Sequence, residues 1–126
     1  MHGIILHNKL RNQAGDVMDA DPFEISKVSG NLVFEFLDSE LNLFNIDDIS
    51  RKYHGTLRSC DDAYDSIVID MSNVHLVDST TVSFLVRAHL LAKKAGKNFF
   101  LRNVGKTIKQ TLEYANLQND FDVICN

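Results

Sequence analysis

The stretch SIVIDMSNVHLVDSTTVSFL, residues 66–85, decides how the rest of the chain is read. It opens with Ile67-Val68-Ile69, a continuous β-branched run typical of a buried strand. A second apolar run, Val74 to Val77, follows a short polar break. Asp78-Ser79-Thr80-Thr81 then sets three hydroxyls behind one carboxylate, just before a new apolar run. Three roles fit such a junction: helix cap, phosphate acceptor or nucleophile.

Beyond it, TVSFLVRAHLLAKKAG (81–96) reads as a helix with Val82, Leu85, Val86, His89 and Ala92 on one stripe. Lys93 and Lys94 suit its C-terminal end, and Gly96 suits the stop. NFFLRNV (98–104) reads as a strand and KTIKQTLEYANL (106–117) as a helix using Ile108, Leu112, Ala115 and Leu117. FDVICN (121–126) reads as a last strand. Upstream, FEISKV (23–28) and LVFEFL (32–37) alternate around Ser29-Gly30-Asn31, which predicts a hairpin. Asn45 is a candidate N-cap for a helix with Ile46, Ile49, Tyr53 and Leu57 on its stripe and Asp47 and Asp48 in its first turn. Residues 8–22 are polar, end in Asp-Pro and carry no clear period, so residues 1–22 read as an N-terminal extension to a domain spanning 23–126. The order β-β-α-β-α-β-α-β predicts an α/β fold with a small mixed, mostly parallel sheet. In such sheets, function sits beyond the C-terminal strand ends, which is where Asp78 to Thr81 fall.

Composition bounds the rest. A chain of 126 residues, 44% hydrophobic, suits one domain with a self-sufficient core. Net charge of −4 argues against nucleic acid or anionic lipid as a partner. No apolar run approaches the roughly 20 residues of a membrane span. Ile4-Ile5-Leu6 is too short for a signal peptide, so the chain reads as cytoplasmic, without membrane insertion. Cys60 and Cys125 lack C-x-x-C spacing and read as reduced thiols.

Several chemistries fail on their own requirements. Gly105-Lys106-Thr107 resembles the end of a P-loop, but Phe100 stands where the first glycine is needed. Asp70 follows a β-branched strand as a receiver phosphoacceptor does. The strand ending Arg102-Asn103-Val104 offers no hydroxyl, however, and the last strand no lysine, so Asp70 reads as a turn residue. Ser79, His75 and Asp78 lack the G-x-S-x-G elbow, and His75, in an apolar run, reads as structural. His2, His7, His54, His75 and His89 show no metal-ligand spacing, and His89 reads as a packing residue. No catalytic residue, metal or cofactor is expected. What remains is a cap that also suits phosphate: a phosphate on Thr80 or Ser79 would lie at a helix N-terminus, where amides and dipole favour an anion by roughly 0.3–1 kcal/mol. Such a group would add nearly two charges without melting the helix, and so would act on an interface.

At this point residues 66–124 resemble a STAS domain, the anti-sigma factor antagonist module. The shared pattern is a strand ending hydrophobic-Asp-hydrophobic, a short loop, then Asp-Ser-Ser/Thr-Gly opening a helix. SELNLFNIDDI (39–49) resembles the family's Gly-Glu-Leu-Asp segment, with Glu40 and Leu41 matching, Ser39 replacing Gly and Asn42 replacing Asp. The resemblance covers roughly residues 23–124. It implies a partner-switching protein that binds an anti-sigma factor or related serine/threonine kinase when dephosphorylated. Phosphorylation of the loop hydroxyl, Thr80 or alternatively Ser79, would end that binding, and a phosphatase would restore it. Glu40, Asn42, Asp78, Ser79, Thr80 and Thr81 would form the partner surface. The alternative is a non-switched STAS subunit docked on a transporter ATPase of a lipid-transport ABC complex. Thr81 stands where Gly is usual, placing a β-branched side chain on the loop the kinase must approach. The family's C-terminal helix is not expected after residue 126, and residues 1–20 are expected to cover the surface it would leave.

Overall fold

The computed structural model describes residues 4–5, 21–60, 63–117 and 121–124. A two-residue strand, Ile4–Ile5 (β1), pairs antiparallel with Phe23–Val28 (β2), which forms the expected hairpin with Asn31–Phe36 (β3). Ser29 and Gly30, both at positive φ (52° and 84°), make the two-residue turn that matches strand twist. Glu40–Leu41 (β4) precedes the helix Ile46–Ser59 (α1), and Ser66–Asp70 (β5) is the fully buried strand anticipated. Leu76–Val77 (β6) leads into Ser79–Lys94 (α2), followed by Asn98–Arg102 (β7), Lys106–Tyr114 (α3) and Asp122–Ile124 (β8).

The main sheet has the order β1-β2-β3-β5-β7-β8, antiparallel through β3 and parallel beyond it. The parallel strands lie side by side in chain order, so right-handed crossovers put all three helices on one face. Under them run the cross-strand rows Leu32–Ile67–Phe99 and Phe34–Ile69–Leu101, all buried. Each such side chain contributes roughly 1.5–3 kcal/mol on full burial. This is the α/β mixed-sheet fold that the sequence predicts.

The helices refine the expected boundaries. In α2, Val82, Leu85 and Ala92 are buried as predicted, but Thr81, Phe84 and Ala88 join them, while Val86 is only half-buried. The chain leaves α2 through a Schellman turn: Gly96 N–H donates to Lys93 O (3.0 Å) and Lys97 N–H to Ala92 O (2.9 Å). A matching turn ends α3 early. Asn116 adopts φ 58°, and Leu117 N–H reaches Leu112 O (2.8 Å), so Ala115 is exposed and Leu117 packs from outside the helix. His89 does pack, edge-on to Phe99 (5.7 Å) and Phe121 (5.4 Å). His75 does not: its side chain is exposed and its backbone N–H donates to Ser39 O (2.7 Å). Its neighbour Leu76 is exposed as well, and Val74 and Val77 carry the run's contacts with the core.

Cys60 is a half-buried free thiol, and Cys125 lies outside the described residues. The expected cover by residues 1–20 also lies outside them, apart from β1 on the β2 edge. Among the described residues, no helix is long and apolar enough to cross a membrane.

Candidate functional site

Two segments distant in sequence meet at the C-terminal end of the parallel strands. β4 and β6 pair in parallel, with Glu40 opposite Leu76 and Leu41 opposite Val77. Asp78 N–H donates to Leu41 O (3.2 Å) and continues this miniature sheet. The pairing sets the turn before α1 against the first turn of α2.

Asp78 is the N-cap of α2. Its extended backbone (φ −109°, ψ −176°) lets Oδ1 accept the Thr81 N–H at 3.1 Å. The Thr80 hydroxyl donates to the same oxygen. Oδ2 points the other way and accepts the Leu43 N–H at 3.0 Å, a contact between residues 35 apart. Slight burial pushes the Asp78 carboxyl up, but the Thr80 hydroxyl and the Thr81 and Leu43 amides outweigh it and hold the group below the usual aspartate value. The carboxylate is therefore ionised at neutral pH.

Asn42 organises the opposite side. Its Oδ1 accepts the Phe44 N–H (2.9 Å), its Nδ2 donates to Glu40 Oε2 (3.1 Å), and its N–H donates to Asn45 Oδ1 (2.8 Å). Asn45 sits at the N-cap of α1 as predicted but makes no side-chain bond to that helix; its amide group donates back to Glu40 O (2.8 Å). Glu40, Asn42, Asp78, Ser79 and Thr80 are thus gathered at one end of the molecule, with Ser79 and Thr80 exposed. Thr81 departs from expectation. It is 0% exposed, turned into the core beside α2's buried stripe, so its side chain is not on the accessible surface.

Three residues here went unnoticed in the sequence: Leu43, Phe44 and Leu76, which are 60%, 89% and 50% exposed. The signal was local. Phe44 immediately precedes the α1 cap, where an apolar residue ordinarily staples back onto the helix at Ile49. Here the ring stays in solvent. Between α1 and α2, a groove of about 500 Å³ opens beside Thr80, with Leu43, Ile46, Ser83, Phe84 and Arg87 among its walls.

Asp70 turns into the adjacent loop, accepting the Ser72 N–H (2.9 Å), and is clamped by Arg102 Nη2 (2.8 Å) and Nε (3.0 Å). Burial pushes its carboxyl up, yet the Ser72 amide, the Arg102 guanidinium and Asn103 hold it below the usual range, as suits a structural ion pair. No hydrogen bond joins His75 to Ser79, and no cluster of metal-ligating side chains occurs, among the described residues.

Comparisons with known proteins bear on the fold and the family. No curated protein matches the sequence. Among solved structures, an anti-sigma-factor antagonist (STAS) domain protein from Planctomyces limnophilus superposes with a TM-score of 0.70 at 15% identity, covering 82% of this chain and 89% of that one. The Bacillus cell fate determinant SpoIIAA in its phosphorylated form gives 0.62 at 16%, covering 82% and 90%. A sulfate transporter family protein from Wolinella succinogenes gives 0.64 at 15%, covering 77% and 78%. At such identities these likenesses establish the fold. The STAS domain model itself matches residues 23–126, and the chain belongs to the STAS domain family.

Proposed function

We propose that this STAS domain is a partner-switching antagonist of an anti-sigma factor, controlled by phosphorylation at Thr80. The observation that carries the reading is the exposed Thr80 hydroxyl on the first turn of α2, hydrogen-bonded to the ionised Asp78. The hydroxyl is presented to solvent with its orientation fixed, as an incoming kinase requires. A phosphate there lies at the positive end of a helix dipole, so the fold tolerates it. It also adds nearly two negative charges among Asp78, Glu40 and Asp47, which changes what the surface can bind. Ser79, exposed beside Thr80, is the second candidate acceptor. The chain itself performs no chemistry; the kinase supplies ATP and the phosphatase removes the group.

The test is incubation with anti-sigma serine/threonine kinases and ATP, with the phosphate located by mass spectrometry. Modification at Thr80, or at Ser79, that Ala at the same position abolishes supports the switch. Failure with every kinase, together with stable co-purification with a transporter ATPase, would overturn it in favour of the docked-subunit reading.

A further inference from the structure

We infer that Phe44 is the anchor by which this chain docks, seated in an apolar pocket of the partner, and that Thr80 controls the anchor through Asp78. This rests on the partner-switching reading. It goes further by naming the contact and the route of control.

The ring's exposure is the first observation. Phe44 is 89% exposed, with Leu43 and Leu76 also open. Exposed single apolar residues are common, but an aromatic ring left out of its own helix staple, on a turn whose backbone is fixed, is a different matter. The turn beneath it is fastened by side chains. The Phe44 N–H is held by Asn42 Oδ1 at 2.9 Å, the Leu43 N–H by Asp78 Oδ2 at 3.0 Å, and the Asn42 N–H by Asn45 Oδ1 at 2.8 Å. With the backbone of the turn already fixed, an aromatic side chain with two torsions loses little freedom when it enters a pocket, and such residues dominate interfaces. The acidic rim of Glu40 and Asp78 selects a partner whose apolar pocket is bordered by basic residues.

The second observation is that one carboxylate serves both features. Asp78 accepts the Thr80 hydroxyl and the Thr81 N–H on Oδ1, and the Leu43 N–H on Oδ2. Transfer of the γ-phosphoryl group from ATP to Thr80 Oγ1 forms a P–O ester bond, breaks the bond to the β-phosphate so that ADP leaves, and gives up the hydroxyl proton to a base of the kinase or to solvent. The donor is lost and a dianion appears beside Asp78. Like charges at that distance repel. The carboxylate turns away, the Leu43 N–H loses its acceptor, and the turn carrying Phe44 is no longer fixed. Docking is lost through release of the anchor as well as through added charge.

Two measurements test this. In the ¹⁵N-labelled chain, Thr80→Glu and Asp78→Ala should each speed hydrogen exchange of the Leu43 and Phe44 amides about tenfold, while Thr80→Val, which removes the donor without adding charge, should leave them near wild type. Unchanged exchange in Thr80→Glu overturns the route through Asp78. For docking, the kinase that phosphorylates the chain is titrated by calorimetry. Phe44→Ala should weaken it at least about tenfold, with Phe44→Leu recovering part of the loss. If that kinase binds the wild type and Phe44→Ala equally, the anchor is refuted while the partner-switching reading stands. If no kinase binds at all, both fall.

Discussion

Replacing Asp78 with alanine removes one carboxylate and, on this structure, disconnects two segments. The first loss is the α2 cap: the Thr81 N–H (3.1 Å) is left without its acceptor. Removing an N-cap Asp costs about 1 kcal/mol. The second loss is the Leu43 N–H bond across 35 residues (3.0 Å). That amide is exposed and finds water afterwards, so the loss is nearer about 0.5–1 kcal/mol than the cost of a buried orphan. The sum is about 2 kcal/mol, or roughly 5–8 °C in Tm for a domain of this size. Urea denaturation at neutral pH reads it directly. Asp78→Ser separates the parts, because serine keeps the cap but is too short to span to Leu43, and should recover about half.

The effect also has a pH signature. The folded Asp78 carboxyl is held below its ordinary value of 3.8, so the native state favours the ionised form. Its contribution is therefore full above the unfolded value and is lost as pH falls through the lower folded one. The gap between wild type and Asp78→Ala should stay constant from neutral pH down to the ordinary aspartate range and close below it. Asp70 titrates in the same direction in both proteins and cancels from the difference. A variant within about 0.5 kcal/mol of wild type, or a gap unchanged in acid, would refute the account of Asp78 as a link between the two segments.

Three further outcomes follow from particular contacts. Thr81→Gly, which restores the family's usual residue, should destabilise by about 1–2 kcal/mol in urea, because it empties a buried site and adds a flexible residue to a helix turn. Arg102→Ala should cost about 2–3 kcal/mol in the same assay, since it leaves the 6% exposed Asp70 without its ion-pair partner; Asp70→Asn in that background should add little. Asn116→Gly should raise stability by about 0.5 kcal/mol, as φ 58° suits glycine better; a decrease would mean the Asn116 side chain holds the turn.

What the sequence revealed follows from how local each signal is. β5 is legible because a strand buried on both faces needs an unbroken β-branched run, and Ile67-Val68-Ile69 is one. The Asp78 cap is legible because a cap is satisfied within three residues. β1, β4 and β6 are invisible because two residues cannot display a period. The contact between Asp78 and Leu43 depends on β4 meeting β6, so it is lost with them. Thr81 is the instructive error. Its hydroxyl suggested the surface, yet Thr81, Phe84, Leu85, Ala88 and Ala92 fall at helical spacing on one buried face. Phase was the stronger evidence and polarity the weaker, because a threonine hydroxyl within reach of Asp78 Oδ1 (3.4 Å) can be buried at little cost. The same phase turns Thr80 outward. Reading the junction by helical position therefore divides it cleanly: Asp78 joins two segments, Thr81 packs the core, and Thr80 is presented to whatever approaches.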